Sequence, residues 1–189
     1  MSNHEFVIDK KQKKDEWNTR SYAVYPILEY LRKGKTIWCP FDKKDSNYVK
    51  IFKENNFNVI SGHIDEGKDF FKYEPEEYDY IISNPPYSLR ESILIRLFQF
   101  KKPFAMLINI SGLFDSKKRF NLFKNNPFEI MIFNKRIDYI KVGKNKSSPP
   151  FASIYLCSNL LPSKLIFHIL TINNWGREVC HEFKRSRKI

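Results

Sequence analysis

The sequence predicts an α/β chain with a largely parallel central sheet flanked by helices. Three observations carry that expectation. Short apolar stretches with strand character alternate with helical stretches of about 10–15 residues. The length, 189 residues, and an apolar content of 42% suit one domain with a sizeable core. Charged residues make up 29%, with 6 Gly and 10 Pro, which excludes disordered, collagen-like and low-complexity classes. In such sheets ligands bind at the carboxyl ends of the strands.

In chain order, residues 1–15 read as a basic N-terminal arm, 16–175 as the folded domain, and 176–189 as a basic C-terminal tail. Residues 20–32 place Val24, Ile27, Leu28 and Leu31 on one helical face, with Pro26 early and Gly34 as the stop. Thr36–Cys39 reads as a buried strand. Asp45 or Ser46 caps a helix over 46–55. Asn58–Ser61 and Asp79–Ser83 are further strands, and 88–100 is a strongly periodic helix. A strand follows over 104–109, then a helix over 114–125. The last two expected strands cover 128–133 and 151–157.

Lys and Arg exceed Asp and Glu by 33 − 21 = +12. That surplus suggests a polyanionic partner, most often nucleic acid; the competing reading is a solvated Lys-rich surface. Three Cys without a CxxC spacing argue against a disulfide framework and a zinc site, and for a reducing, cytoplasmic setting. No apolar run approaches the ~18 residues of a membrane span, and the N-terminus lacks the apolar core of a secretory signal.

The chemically informative stretch is Asn84-Pro85-Pro86-Tyr87, directly after an apolar strand. Two prolines fix φ and remove two backbone donors, so the local carbonyls stay rigid beside a side-chain amide. The Asn84 carbonyl and the Pro85 carbonyl are two acceptors suited to a planar –NH2 group. Tyr87 offers a face for stacking a flipped base, a contact worth about 1–3 kcal/mol. The plain alternative is a turn.

This segment resembles the signature of S-adenosylmethionine-dependent amino-methyltransferases, above all the adenine-N6 DNA methyltransferases, and most closely small phage- or prophage-borne members. The resemblance covers roughly residues 15–160 and implies a Rossmann-like methyltransferase fold. It implies catalytic roles for Asn84, Pro85, Pro86 and Tyr87, and S-adenosylmethionine as cofactor. Asp15-Glu-Trp17-Asn-Thr19 looks like the segment over the cofactor's methionine end, which places Trp17 and Thr19 there. Cys39, Pro40, Phe41 and Asp42 stand where the family has its first cofactor loop, and Asn84 also borders the cofactor. Asp69 and Phe70 stand where an acidic-aromatic element meets the cofactor adenine. Phe151–Tyr155 resembles a late strand near the target pocket.

Two departures stand out. The first loop has no glycine between Thr36 and Ser61, so Pro40 and Asp42 must shape the turn. The second strand lacks a terminal acid, which leaves Asp65, a few residues on, for the ribose hydroxyls. Asp42 also reads as a helix N-cap, Asp69 as a solvated loop carboxylate, and Phe70 as core. His4, His63, His168 and His181 lack metal-ligand spacing, so no metal is assigned.

Lys117, Lys118 and Arg119, together with Lys144 and Lys146, are candidate phosphate contacts. The partner expected is DNA, with RNA second and no membrane. No separate block of domain size remains for target recognition. Either specificity is low, or a dimer partner or another subunit supplies it. Two alternatives stay open: the same chemistry on RNA adenine or a protein amide, and a decayed, non-enzymatic nucleic-acid-binding protein on this fold.

Overall fold

The computed structural model describes residues 18–141, 144–147 and 151–170. The expected terminal arm and tail, and Trp17 of the expected domain, lie outside the described residues. Strands are β1 Asn18–Thr19, β2 Thr36–Cys39, β3 Asn58–Ser61, β4 Tyr80–Ser83, β5 Phe104–Asn109, β6 Glu129–Phe133, β7 Tyr139–Lys141, β8 Lys144–Ser147, β9 Ser153–Ser158 and β10 Leu165–His168. Helices are α1 Tyr25–Leu28, α2 Asn47–Glu54, α3 Arg90–Phe100 and α4 Lys117–Asn125.

Among the described residues the main sheet has seven strands in the order β10-β6-β9-β5-β4-β2-β3. Only β9 is antiparallel to its neighbours, β5 and β6. The other six therefore end on one edge, and β9 starts there. A small antiparallel sheet, β1-β7-β8, is built from the connection between β6 and β9 and from the start of the described chain. Its β7–β8 part is thus delivered to that same edge.

The strands alternate between two cores. Ile37, Cys39, Tyr80, Ile82, Ala105, Leu107, Tyr155 and Cys157 face one side, under α1 and α2. Trp38, Ile81, Phe104, Met106, Ile108, Ile154 and Leu156 face the other, under α3 and α4. Burial on both faces is why these strands read as apolar runs. The core under α3 and α4 is largely aromatic: Trp38 lies 5.6 Å from Phe70, 5.2 Å from Tyr78 and 5.5 Å from Phe100, centroid to centroid.

Local chemistry sets the boundaries. Ser46 caps α2, its hydroxyl accepting from Val49 N at 3.2 Å. Ser116 caps α4, so that helix starts at Lys117 and not at 114. The helix expected over 20–32 is instead a 3₁₀ turn at Ser21–Ala23 followed by the single turn α1. Beyond α1, Tyr30 N and Leu31 N donate to Ile27 and Leu28, three residues back, so the segment tightens out of α geometry. The expected apolar face survives, with Val24, Ile27 and Leu31 buried. Strands β1, β7, β8 and β10 were not expected.

Candidate active site

The turn after β2 is the first wall of the site. Asp42 N donates to Cys39 O at 3.3 Å, closing a turn with Pro40 at its second position, where a fixed φ is suited. Gly62 N donates to the same carbonyl at 2.9 Å, drawing the end of β3 against this turn. A Cβ on Gly62 would lie 3.3 Å from Trp38 Nε1 and 3.4 Å from Pro40 Cα. The glycine that permits close approach is therefore on the neighbouring strand, while Pro40 shapes the first loop.

Asp42 is buried, and its carboxylate accepts a short hydrogen bond from Ser83 Oγ. Ser83 Oγ also accepts from Phe41 N at 3.3 Å. No cation lies within ion-pair distance of Asp42 among the described residues. Burial pushes its carboxyl up to about 6, against the opposing hydrogen bonds from Ser83 and Ser46. Ser83 immediately precedes Asn84, so one hydroxyl joins the first loop to the Asn-Pro-Pro-Tyr segment.

Asn84 follows the end of β4 at the sheet edge. Its Nδ2 donates to Thr19 Oγ1 at 3.1 Å. Thr19 is buried, pairs with Tyr139 across β1 and β7, and its carbonyl accepts from Asn47 Nδ2 at 2.8 Å. The NH2 half of the Asn84 amide is thus bound by protein, and the carbonyl half is the acceptor end. Pro85 is buried; Pro86 is half-buried and opens the 3₁₀ turn Tyr87–Leu89.

Tyr87 is held from two sides. Its hydroxyl donates to Tyr139 Oη at 3.1 Å, and its ring meets Phe151 edge-on at 5.3 Å and 88°. Tyr139 is buried and lies 2.7 Å from Ser153 Oγ. Burial holds the Tyr139 phenol well above its ordinary range, so it stays a neutral donor and acceptor.

Further along the edge, Asp65 is exposed and paired with Lys43 Nζ at 2.8 Å, linking the loops after β3 and β2. Asp69 caps its own turn, with Oδ1 accepting from Phe71 N at 2.9 Å. Phe70 is buried 4.8 Å from the half-buried Phe41 ring. Lys117 is exposed, Lys118 reaches Glu91 at 3.7 Å, and Arg119 turns inward. The Arg119 guanidinium donates to Glu91 at 3.2 Å, Leu113 O at 3.0 Å and Gly112 O at 2.9 Å. Lys144 and Lys146 lie on β8, in the small sheet at the site edge. Among the described residues no cluster of His, Cys, Asp and Glu could hold a metal ion.

No protein family matches the chain, and no curated protein matches it either. Among solved structures it superposes on a chain assigned as a modification subunit of a type I restriction enzyme from Vibrio vulnificus YJ016. The TM-score is 0.54 at 12% identity, over 92% of this chain and 51% of that one. The fold is Rossmann-like. The chain spans about half the length of that subunit. A second structure, precorrin-6y C5,15-methyltransferase from Geobacter metallireducens GS-15, aligns over 72% of this chain and 85% of that one. At 9% identity and a TM-score of 0.41 it carries no weight.

Thr19, Asp42 and Asn84, read separately from the sequence, are thus brought into one connected edge. Asp69 and Phe70 lie further along the edge, against Phe71 N and the Phe41 ring. Sequence reasoning missed Asn47, Ser83 and Tyr139, while Ser153 falls within the Phe151–Tyr155 segment expected near the target pocket. Only Ser83 carried a signal, as a polar residue closing an apolar strand directly before the motif.

Proposed function

We propose that the chain is an S-adenosylmethionine-dependent methyltransferase acting on the exocyclic N6 amino group of adenine in DNA. The observation that carries this reading is the Asn84-Pro85-Pro86-Tyr87 segment at the carboxyl end of β4, with the Asn84 amide oriented by Thr19. An amide fixed that way offers its carbonyl, and the rigid Pro85 carbonyl is the second acceptor for a planar –NH2 group. Binding both hydrogens orients the nitrogen lone pair toward an electrophile. Tyr87, immobilised by Tyr139 and Phe151, stacks on the base.

S-adenosylmethionine, when bound, supplies a methyl group activated by its positive sulfonium, which needs no metal. The chain's own task is orientation and dipole placement. Asp42 fits such a cofactor: a buried carboxylate without a cation among the described residues is a ready partner for an ammonium group. Thr19, Trp17, Phe41 and the backbone of Cys39 and Pro40 complete that end. Asp65 serves the ribose hydroxyls in competition with Lys43, and Asp69 and Phe70 serve the adenine. Lys117, Lys118, Lys144 and Lys146 contact phosphates, and Arg119 braces the loop that presents the first two.

The test is incubation with labelled S-adenosylmethionine and separate pools of DNA, RNA and protein, followed by mass spectrometry of nucleosides and peptides. Label in N6-methyladenine from DNA is the expected result. Label only in RNA adenine or in glutamine overturns the DNA assignment, and absence of cofactor binding overturns the enzymatic one.

A further inference from the structure

Beyond the candidate site, one surface is unusual for its chemistry. The outward face of α4 carries Lys117, Phe120 and Lys124, spaced three and four residues apart, which places them side by side. Phe120 is 59% exposed. The helix contains no acidic residue, and neither Lys117 nor Lys124 has an ion-pair partner among the described residues. A large ring in water between two unpaired cations contributes nothing to the core, which this helix builds with Phe123.

The loop preceding α4 ties this face to the site. Arg90, three residues after Tyr87, donates from Nη1 to Ser111 O at 2.8 Å. Its Nε is buried without a partner. Burial and the nearby Arg119 charge both press against its own, and the carboxylate whose field offsets this is Asp115. Glu91, the other acid close by, is taken by Arg119 and Lys118. Phe114, 46% exposed, lies between Ser111 and the helix.

We propose that the surface from Arg90 across Lys117, Phe120 and Lys124 is a binding track for single-stranded nucleic acid flanking the target adenine. It rests on the nucleic-acid reading of the site. Arg90 takes the phosphate next to the extruded nucleotide, because its Nε has no hydrogen-bond partner and Asp115 acts on it through its field, without an ion pair among the described residues. Phe120 stacks a neighbouring base, and the two lysines hold the backbone on either side. Nine residues of helix span about 13 Å, enough for a few nucleotides. Stacking on an aromatic ring is tolerant of sequence, so the track grips a strand without reading it.

The track is tested by fluorescence anisotropy with a labelled pyrimidine-rich strand carrying one adenine, and with its duplex. Phe120→Ala should weaken single-strand binding about tenfold or more, and duplex binding much less. Lys117→Gln and Lys124→Gln should each flatten the slope of log affinity against log salt by about 0.7. Phe167→Ala, which removes a ring 75% exposed on β10, should change nothing. If Phe120→Ala behaves like Phe167→Ala while the wild type binds, the track is overturned and the site reading stands. If the wild type binds neither form at low salt, the nucleic-acid reading itself fails. If Phe120→Ala dissolves a dimer and leaves DNA affinity intact, the face serves a second copy and the track is overturned.

Discussion

The two faces of the sheet are filled with different chemistry. Under α3 and α4 the core is rings: Trp38, Phe70, Tyr78 and Phe100 meet at ordinary aromatic distances, Phe104 and Phe123 pack on Phe98, and all contribute burial. Under α1 and α2 the core includes paired hydroxyls and thiols. Tyr48 and Tyr155 share a hydrogen bond of 2.9 Å, and Tyr155 donates to Ala23 O at 2.9 Å. Tyr139 belongs to this second core and reaches the site through Tyr87 and Ser153. Both faces stabilise the fold by burial, and the one under α1 and α2 also positions polar groups at the sheet edge. Substitutions should therefore separate the two jobs.

The largest effect on folding should come from the ring-filled face. Trp38→Ala removes the ring at its centre and should cost about 3–5 kcal/mol in urea denaturation. A loss below about 1 kcal/mol would mean that the aromatic cluster contributes little to stability.

Asp42 should show the opposite balance. Its carboxyl is raised from 3.8 to about 6 in the fold. Between those values the folded chain holds a proton that the unfolded chain has released. Stability from this group is therefore full below about pH 4 and lost as pH rises through 6. A shift of about two units corresponds to roughly 3 kcal/mol. Asp42→Asn should thus be more stable than wild type at pH 8, with the gain closing toward pH 4, and should bind cofactor less well. Equal stability curves for the two proteins across that range would contradict the burial cost assigned to Asp42.

Much of the fold was legible because strands buried on both faces read as apolar runs, as with β2, β4, β5 and β9. The elements that were missed gain their pairing from elsewhere. Asn18–Thr19 becomes a strand only because Tyr139 and Ile140 lie beside it. Leu165–His168 is a short edge strand following a Pro-Ser-Lys turn. Residues 20–32 show helical periodicity, but the i−3 bonds from Tyr30 and Leu31 end the α-helix after one turn. In the site, Asp42 and Asn84 were readable from their places after strands. Ser83 as their link was not, because its partner lies 41 residues away. The run Lys117-Lys118-Arg119 looks uniform in sequence, yet Lys118 reaches Glu91 from the surface while Arg119 is folded inward onto Glu91 and two carbonyls.

The smallest stability effect, with the clearest functional one, should come from Thr19→Val. It replaces one hydroxyl by a methyl and costs about 1 kcal/mol or less. It removes the hydrogen bond that orients Asn84, so methylation should fall by far more than cofactor affinity. Unchanged turnover would show that Asn84 is oriented without Thr19.

The central claim is that Asn84 holds the amino group that is methylated. The direct measurement pairs nucleoside mass spectrometry with calorimetric titration of S-adenosylmethionine, on wild type and Asn84→Ala. The account predicts N6-methyladenine from the wild type, at least a hundredfold less from the variant (about 2.7 kcal/mol of transition-state stabilisation), and cofactor affinity retained in both. Equal product from both proteins would contradict it.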